Sequence, residues 1–180
     1  MVTMTATRRL IVLRHAKAGE LPGGPDMQRE LRPRGRRDSV AAGDWLKAGG
    51  ILPDLVLCSP AARTRQTWEH VSAVLGTAGG QPEVRYDPRL YGAEAEDLLA
   101  ILAEEAGTSA SLMYIGHNPA AAELAAILAG HEIVFPTCAL AVFELTGGWD
   151  GLSDPEAAGA GAARLVASWT PREGTREAGE

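Results

Sequence analysis

Cysteine is scarce in this 180-residue chain, with Cys58 and Cys138 the only two. Two thiols make neither a disulfide framework nor a cysteine-based zinc site, so both read as buried free thiols in a reducing cytoplasm. Long apolar runs are missing as well. No stretch reaches the roughly 18 residues of a bilayer-crossing helix, so no membrane contact is expected. Arg8 and Arg9 are followed by only four apolar residues before Arg14, too few for a secretory signal. No glycine-rich G-x-G-x-x-G or G-x-x-x-x-G-K loop follows the first apolar run, which speaks against a nucleotide-binding module. Internal repeats are absent, and nothing marks a second domain.

What is present suffices for one packed unit, expected over residues 1–170, with a flexible polar tail over 171–180. Apolar residues make up 46% of the chain, too many for a disordered one. The net charge of −6 is unevenly spread. Residues 1–40 carry nine Lys or Arg against four Asp or Glu, a local +5, whereas the remainder carries −11. An acidic total argues against nucleic acid as partner. A cationic end on an acidic body suits capture of a small anion or a phosphorylated protein.

Short apolar runs alternate with helix-length stretches. Leu10-Ile11-Val12-Leu13, Leu55-Val56-Leu57-Cys58 and Ser111-Leu112-Met113-Tyr114-Ile115 read as strands covered on both faces, with Glu83-Val84-Arg85-Tyr86 a weaker run of the same kind. Helices are predicted over 34–48, with Val40, Ala41, Trp45 and Leu46 inward, and over 60–75, 94–106 and 119–129. Ala139–Leu145 and Arg164–Trp169 read as an edge hairpin. The sum is an α/β fold, a three-layer α/β/α sandwich on a mostly parallel sheet. Ligands in such sheets bind beyond the carboxyl ends of the strands.

Three strand ends carry unusual chemistry. The first runs into Arg14-His15-Ala16-Lys17, charges that are costly beside a buried strand unless an anion meets them. The second leads to Ser59-Pro60, read as N-cap and first helical residue, with Arg63 one turn in and Arg65 pointing elsewhere. The fourth ends in Gly116-His117-Asn118-Pro119, with Asn118 as N-cap. Two His, two Arg and two helix N-termini on one edge are what a phosphate site requires. No Cys or Ser sits where an activated nucleophile would need a base, and no carboxylate grouping for two metals exists. Neutral imidazole attacks phosphorus competently, and a phosphoryl group in flight is stabilised chiefly by fixed cationic donors. His15 is therefore the candidate nucleophile, forming a phosphohistidine that water frees. Arg14 and Arg63 offer forks for the oxygens, and His117 offers a further donor. Lys17, Arg29 and Asn118 are candidate additions to the substrate pocket. His70 and His131 read as structural or solvated, and the four tryptophans as packing residues.

Leu13-Arg14-His15-Ala16 resembles the RHG signature of the histidine phosphatase superfamily, with Ala for Gly. Ser59-Pro60 with Arg63 and Gln66-Thr67 is similar to its second motif, and Gly116-His117-Asn118-Pro119 to its third. Asp26…Arg29…Leu31…Gly35 and Leu90-Tyr91-Gly92 most resemble the short SixA-type phosphohistidine phosphatases. The resemblance spans about residues 8–145. It implies a phosphoglycerate mutase-like fold, His15 as phosphorylated nucleophile, a pocket of Arg14, Arg63 and His117, and neither metal nor other cofactor. Larger members place an acidic proton donor where this chain reads Leu90-Tyr91-Gly92-Ala93-Glu94. Glu94 is the candidate substitute, or a first-turn residue favoured by the helix dipole. A phosphoramidate has a readily protonated nitrogen leaving group, so a missing acid is tolerable for phosphohistidine. The expected substrate is thus a phosphohistidine on a protein. The alternatives are a small phosphate ester, or a phosphate-binding regulatory module with weak turnover.

Overall fold

The computed structural model describes residues 7–172. Of the expected tail, Pro171 and Arg172 lie outside regular structure, and 173–180 lie outside the described residues. Six strands form one sheet: β1 (Arg8–Arg14), β2 (Leu55–Cys58), β3 (Glu83–Tyr86), β4 (Ser111–Gly116), β5 (Leu140–Leu145) and β6 (Ala163–Trp169). Their order is β3-β2-β4-β1-β5-β6. The first four in that row pair in parallel, and β5 and β6 close one edge as an antiparallel pair. The expected edge hairpin is present, but its long connection folds into a turn of 3-10 helix (Trp149–Leu152) and a short helical stretch that starts at Pro155 and breaks at Ala160-Gly161.

Four main helices, α1 (Pro33–Ala48), α2 (Ala62–Leu75), α3 (Ala95–Glu105) and α4 (Ala120–Ala129), cover the sheet. Side chains alternate along each strand, so the central strands feed two cores. Leu10, Val12, Leu57, Leu112 and Phe143 join the leucines of α3 and α4 on one face. Ile11, Leu13, Val56, Met113 and Val142 pack against α1 and α2 on the other. Burial on both faces explains why these strands read as continuous apolar runs.

The inward face of α1 differs from the expected one. Gly35, Ser39, Ala42, Gly43 and Leu46 are buried, whereas Val40 and Ala41 point to solvent and Trp45 is half-buried. The small residues are the reason, because α1 and α2 approach closely. A Cβ on Gly43 would stand 2.9 Å from the Val74 Cβ and 3.1 Å from the Val71 carbonyl. Hydrophobicity marked the wrong stripe because this interface selects for absence of volume. No helix among the described residues is long and apolar enough to cross a membrane.

Candidate active site

The register of two neighbouring strands builds the centre of the site. Arg14 on β1 pairs with Gly116 on β4, so the residues that follow, His15 and His117, leave the sheet side by side. Their ring centroids are 5.3 Å apart. The His15 backbone is pinned from both sides: its N–H donates to the Gly116 carbonyl at 3.0 Å, and its carbonyl accepts from Cys138 N–H at 3.0 Å. Gly116 is required here, because a Cβ would collide with the Tyr114 hydroxyl. Ala16 N–H donates to Thr67 Oγ1 at 3.0 Å, and Leu31 N–H donates to Gln66 Oε1 at 2.8 Å. The Gln66-Thr67 pair thus ties α2 to the loop that follows β1.

One hydrogen bond sets the chemistry of His15. Nδ1 lies 2.8 Å from the Ala16 carbonyl. A carbonyl only accepts, so Nδ1 carries the proton and Nε2 keeps its lone pair. Burial pulls the His15 pKa down to about 3, with His117, Arg63 and Arg14 adding to the shift and the Ala16 carbonyl opposing it. His117 is likewise lowered, to about 4, by burial and the two arginines, with Asp26 opposing. Both imidazoles are therefore neutral at pH 7.

Two sequence-based helix starts are corrected. α2 begins at Ala62 with Ala61 as N-cap, and neither Ser59 nor Pro60 takes the expected place. The Thr64 hydroxyl bonds the Ser59 and Ala61 carbonyls instead, while Ser59 Oγ lies 2.7 Å from His117 Nε2. A Ser–His pair thus exists where the sequence suggested none. Ser59 is fully buried, which removes it from any substrate and leaves it as the partner that orients His117. α4 begins at Ala120 with Pro119 as N-cap. The amide of Asn118 donates instead to the Phe135 carbonyl at 2.9 Å, an acceptor shared with Arg14 Nη1 at 3.0 Å. His117 Nδ1, Asn118 Oδ1 and Arg14 Nε are buried with no partner among the described residues.

Arg63 is brought to the same edge with its side chain 8% exposed. Its Nη1 donates to the Asp26 carbonyl at 2.9 Å and its Nη2 to Asp26 Oδ2 at 3.0 Å. The same carboxylate accepts from Arg29 Nη1 at 3.0 Å and from the Tyr91 hydroxyl at 2.7 Å. The Tyr91 ring meets His117 edge-on at 5.5 Å. Sequence reasoning gave Asp26 and Tyr91 no role; their place in the short-family pattern was the available signal. Arg65 is exposed and lies over the Tyr86 ring at 4.4 Å, away from the site as expected.

Lys17 is exposed, and its carbonyl accepts from Arg32 N–H at 2.9 Å. Glu94 is exposed and serves as N-cap of α3, its N–H donating to the Asp97 carboxylate at 3.4 Å. It also lines, with His117, Asn118, Glu96 and Glu123, a groove of about 680 Å³. No group of three or more His, Cys, Asp or Glu side chains among the described residues is placed to hold a metal ion.

A sequence model of the histidine phosphatase superfamily (branch 1) matches residues 10–110. An uncharacterized protein of Mycobacterium tuberculosis is 35% identical over 171 residues, covering 89% of this chain and 100% of the relative. The structure is similar to that of a Nakamurella multipartitia chain assigned the name phosphohistidine phosphatase SixA. That likeness has a TM-score of 0.76 at 29% identity and covers 92% of this chain and 97% of the other. A chain from Agrobacterium tumefaciens assigned the same name gives the same TM-score at 28% identity, covering 91% and 98%.

Proposed function

The chain belongs to the histidine phosphatase superfamily, and from that premise we propose that it is a phosphatase working through a covalent phosphohistidine on His15, with a protein phosphohistidine as substrate. The observation that carries this reading is the juxtaposition of a neutral His15, Nε2 lone pair free, with His117 at 5.3 Å between ring centroids.

In the proposed reaction His15 Nε2 attacks phosphorus, and the bond to the leaving nitrogen breaks as that nitrogen takes a proton. Water then attacks the phosphohistidine and releases inorganic phosphate, restoring His15. Arg14 and Arg63 hold the peripheral oxygens. Ser59 orients the His117 ring through Nε2, which keeps it beside His15 in the pocket. Asn118 steadies Arg14 through their shared acceptor, the Phe135 carbonyl. Lys17 and Arg29 add positive potential, and Glu94 is the proton donor within reach of the same groove. The two buried free thiols fit a reducing cytoplasm.

A protein substrate is supported by the exposed Tyr91 ring, which stands edge-on against His117 and offers an apolar surface beside the site of the kind a protein partner covers. A second reading, a small phosphate ester, is favoured by the 680 Å³ groove beside His117, which is within the size range of small-molecule sites. The deciding experiment incubates the purified protein with phosphohistidine-bearing phosphotransfer proteins and with a panel of phosphorylated metabolites, His15→Ala serving as control. Turnover of the proteins, with phosphate trapped on His15 Nε2 by mass spectrometry, is the expected result. Turnover of a metabolite alone replaces the substrate, and a single burst of phosphate without turnover replaces the enzyme with a phosphate-binding module.

A further inference from the structure

One carboxylate gathers three segments that are far apart in the chain. Asp26 sits in a single turn of 3-10 helix, Asp26–Gln28. Its Oδ2 accepts from Arg63 and from Tyr91, its Oδ1 accepts from Arg29, and its carbonyl takes the second prong of the Arg63 fork. We propose that Asp26 is a positioning residue that fixes Arg63 and Tyr91 while competing with the phosphoryl group for Arg63, so that its negative charge weakens resting phosphate binding and raises turnover. The inference rests on the phosphatase reading above for its turnover arm alone.

Three observations support it. Arg63 is almost wholly withdrawn from water, so its direction is set by what it binds, and residue 26 supplies both recorded acceptors of its two terminal nitrogens. A guanidinium has five N–H groups. Asp26 occupies two, and three remain for a second anion. Tyr91, held by the same carboxylate, stands edge-on against His117, so one wall of the site is fixed together with the arginine. Asp26 also stays ionised: the Tyr91, Arg29 and Arg63 hydrogen bonds hold its carboxyl well below the usual range.

A permanent anion beside an anion-binding arginine has a defined energetic consequence. It repels a bound phosphate dianion, while the Arg63 geometry it enforces serves the transition state. Binding that is weaker in the ground state than in the transition state raises kcat. A merely structural Asp26 would behave differently, since its loss would weaken phosphate binding and turnover alike.

The test uses Asp26→Asn, which keeps the shape and removes the charge, beside Tyr91→Phe, which keeps the charge and removes one hydrogen bond. Asp26 is 48% exposed as a side chain, and circular dichroism will show whether each variant keeps the fold. Calorimetric titration with inorganic phosphate reads affinity without any turnover. Asp26→Asn is expected to bind phosphate about three- to tenfold tighter, as removal of a like charge near a surface predicts, and Tyr91→Phe to leave that affinity within about twofold. Under turnover Asp26→Asn is expected to lose about tenfold or more in kcat with an equal or lower KM. Unchanged or weaker phosphate binding by a folded Asp26→Asn overturns the proposal, as does an unchanged kcat. A wild-type protein that binds phosphate but hydrolyses nothing fails the phosphatase reading, and the affinities still judge Asp26. A wild-type protein that binds no phosphate overturns both.

Discussion

Ser59 and His117 are 58 residues apart in the chain and meet at 2.7 Å, Oγ to Nε2, beyond the ends of two adjacent parallel strands. This contact leaves Nδ1 as the His117 ring nitrogen without a partner among the described residues. It also gives a fully buried serine a reason to be there, since burial of a hydroxyl is costly without a partner.

Replacing Ser59 by Ala should therefore damage the site more than the surface. His117 loses the partner that sets its tautomer, and a buried nitrogen is left unsatisfied. A loss of about 1–3 kcal/mol, or roughly 5- to 150-fold in kcat/KM, is expected. Steady-state kinetics will measure it, and imidazole nitrogen shifts by NMR will report the tautomer. Wild-type-like kinetics would leave Ser59 as packing only.

Removal of either arginine fork should cost more. Arg63→Ala and Arg14→Ala are each expected to lower kcat by about 100- to 1,000-fold, the scale seen for a preorganised donor in a desolvated site. Arg63→Lys should recover little, because one ammonium cannot bridge the Asp26 carbonyl and carboxylate while also donating to phosphate in a plane. Near-complete rescue by lysine would show that charge alone suffices.

The histidines predict a pH response. His15 and His117 are lowered to about 3 and about 4 from 6.5. Their NMR resonances should keep the neutral position at pH 5. The unfolded chain takes up these protons near pH 6.5 and the folded chain only far below it. Between those values acidification favours the unfolded state, so stability falls as pH drops. Denaturant titrations at pH 7 and pH 5 should show this loss, and it should shrink in the His15→Gln, His117→Gln double variant. A loss of equal size in the double variant would place the acid sensitivity in other groups.

Gly35→Ala tests how the loop behind His15 is held. A Cβ at this position would overlap the Lys17 carbonyl and come within 2.9 Å of its amide nitrogen. Both are backbone atoms that cannot rotate away. A destabilisation of about 1–3 kcal/mol or more is expected, a fall of about 2–4 °C in Tm per kcal/mol for a chain of this size. Differential scanning calorimetry will read it, and an unchanged Tm would mean that the loop yields freely.

The strands were legible because each inner one is buried on both faces, and a run such as Leu10–Leu13 has no other use for four apolar residues in a row. His15 and His117 were legible because polar rings directly after such runs must lie at a strand end. The inner face of α1 was not, since Ser39 and Gly43 are selected for closeness, which hydrophobicity does not report. Ser59 and Asn118 misled for a related reason. Their side chains suit helix caps, and local rules cannot know that His117 and the Phe135 carbonyl lie within reach.

The amino-acid sequence by itself determined the order of elements, the strand ends that carry Arg14, His15 and His117, and the place of Arg63 in the first turn of the helix after β2. Each of these follows from short-range pattern, which the chain carries wherever it folds. Only the tertiary structure decided which nitrogen of His15 is free, which partner orients His117, and that Asp26 stands between Arg63 and Tyr91. Those depend on distances between residues tens of positions apart, fixed by strand register and close helix packing.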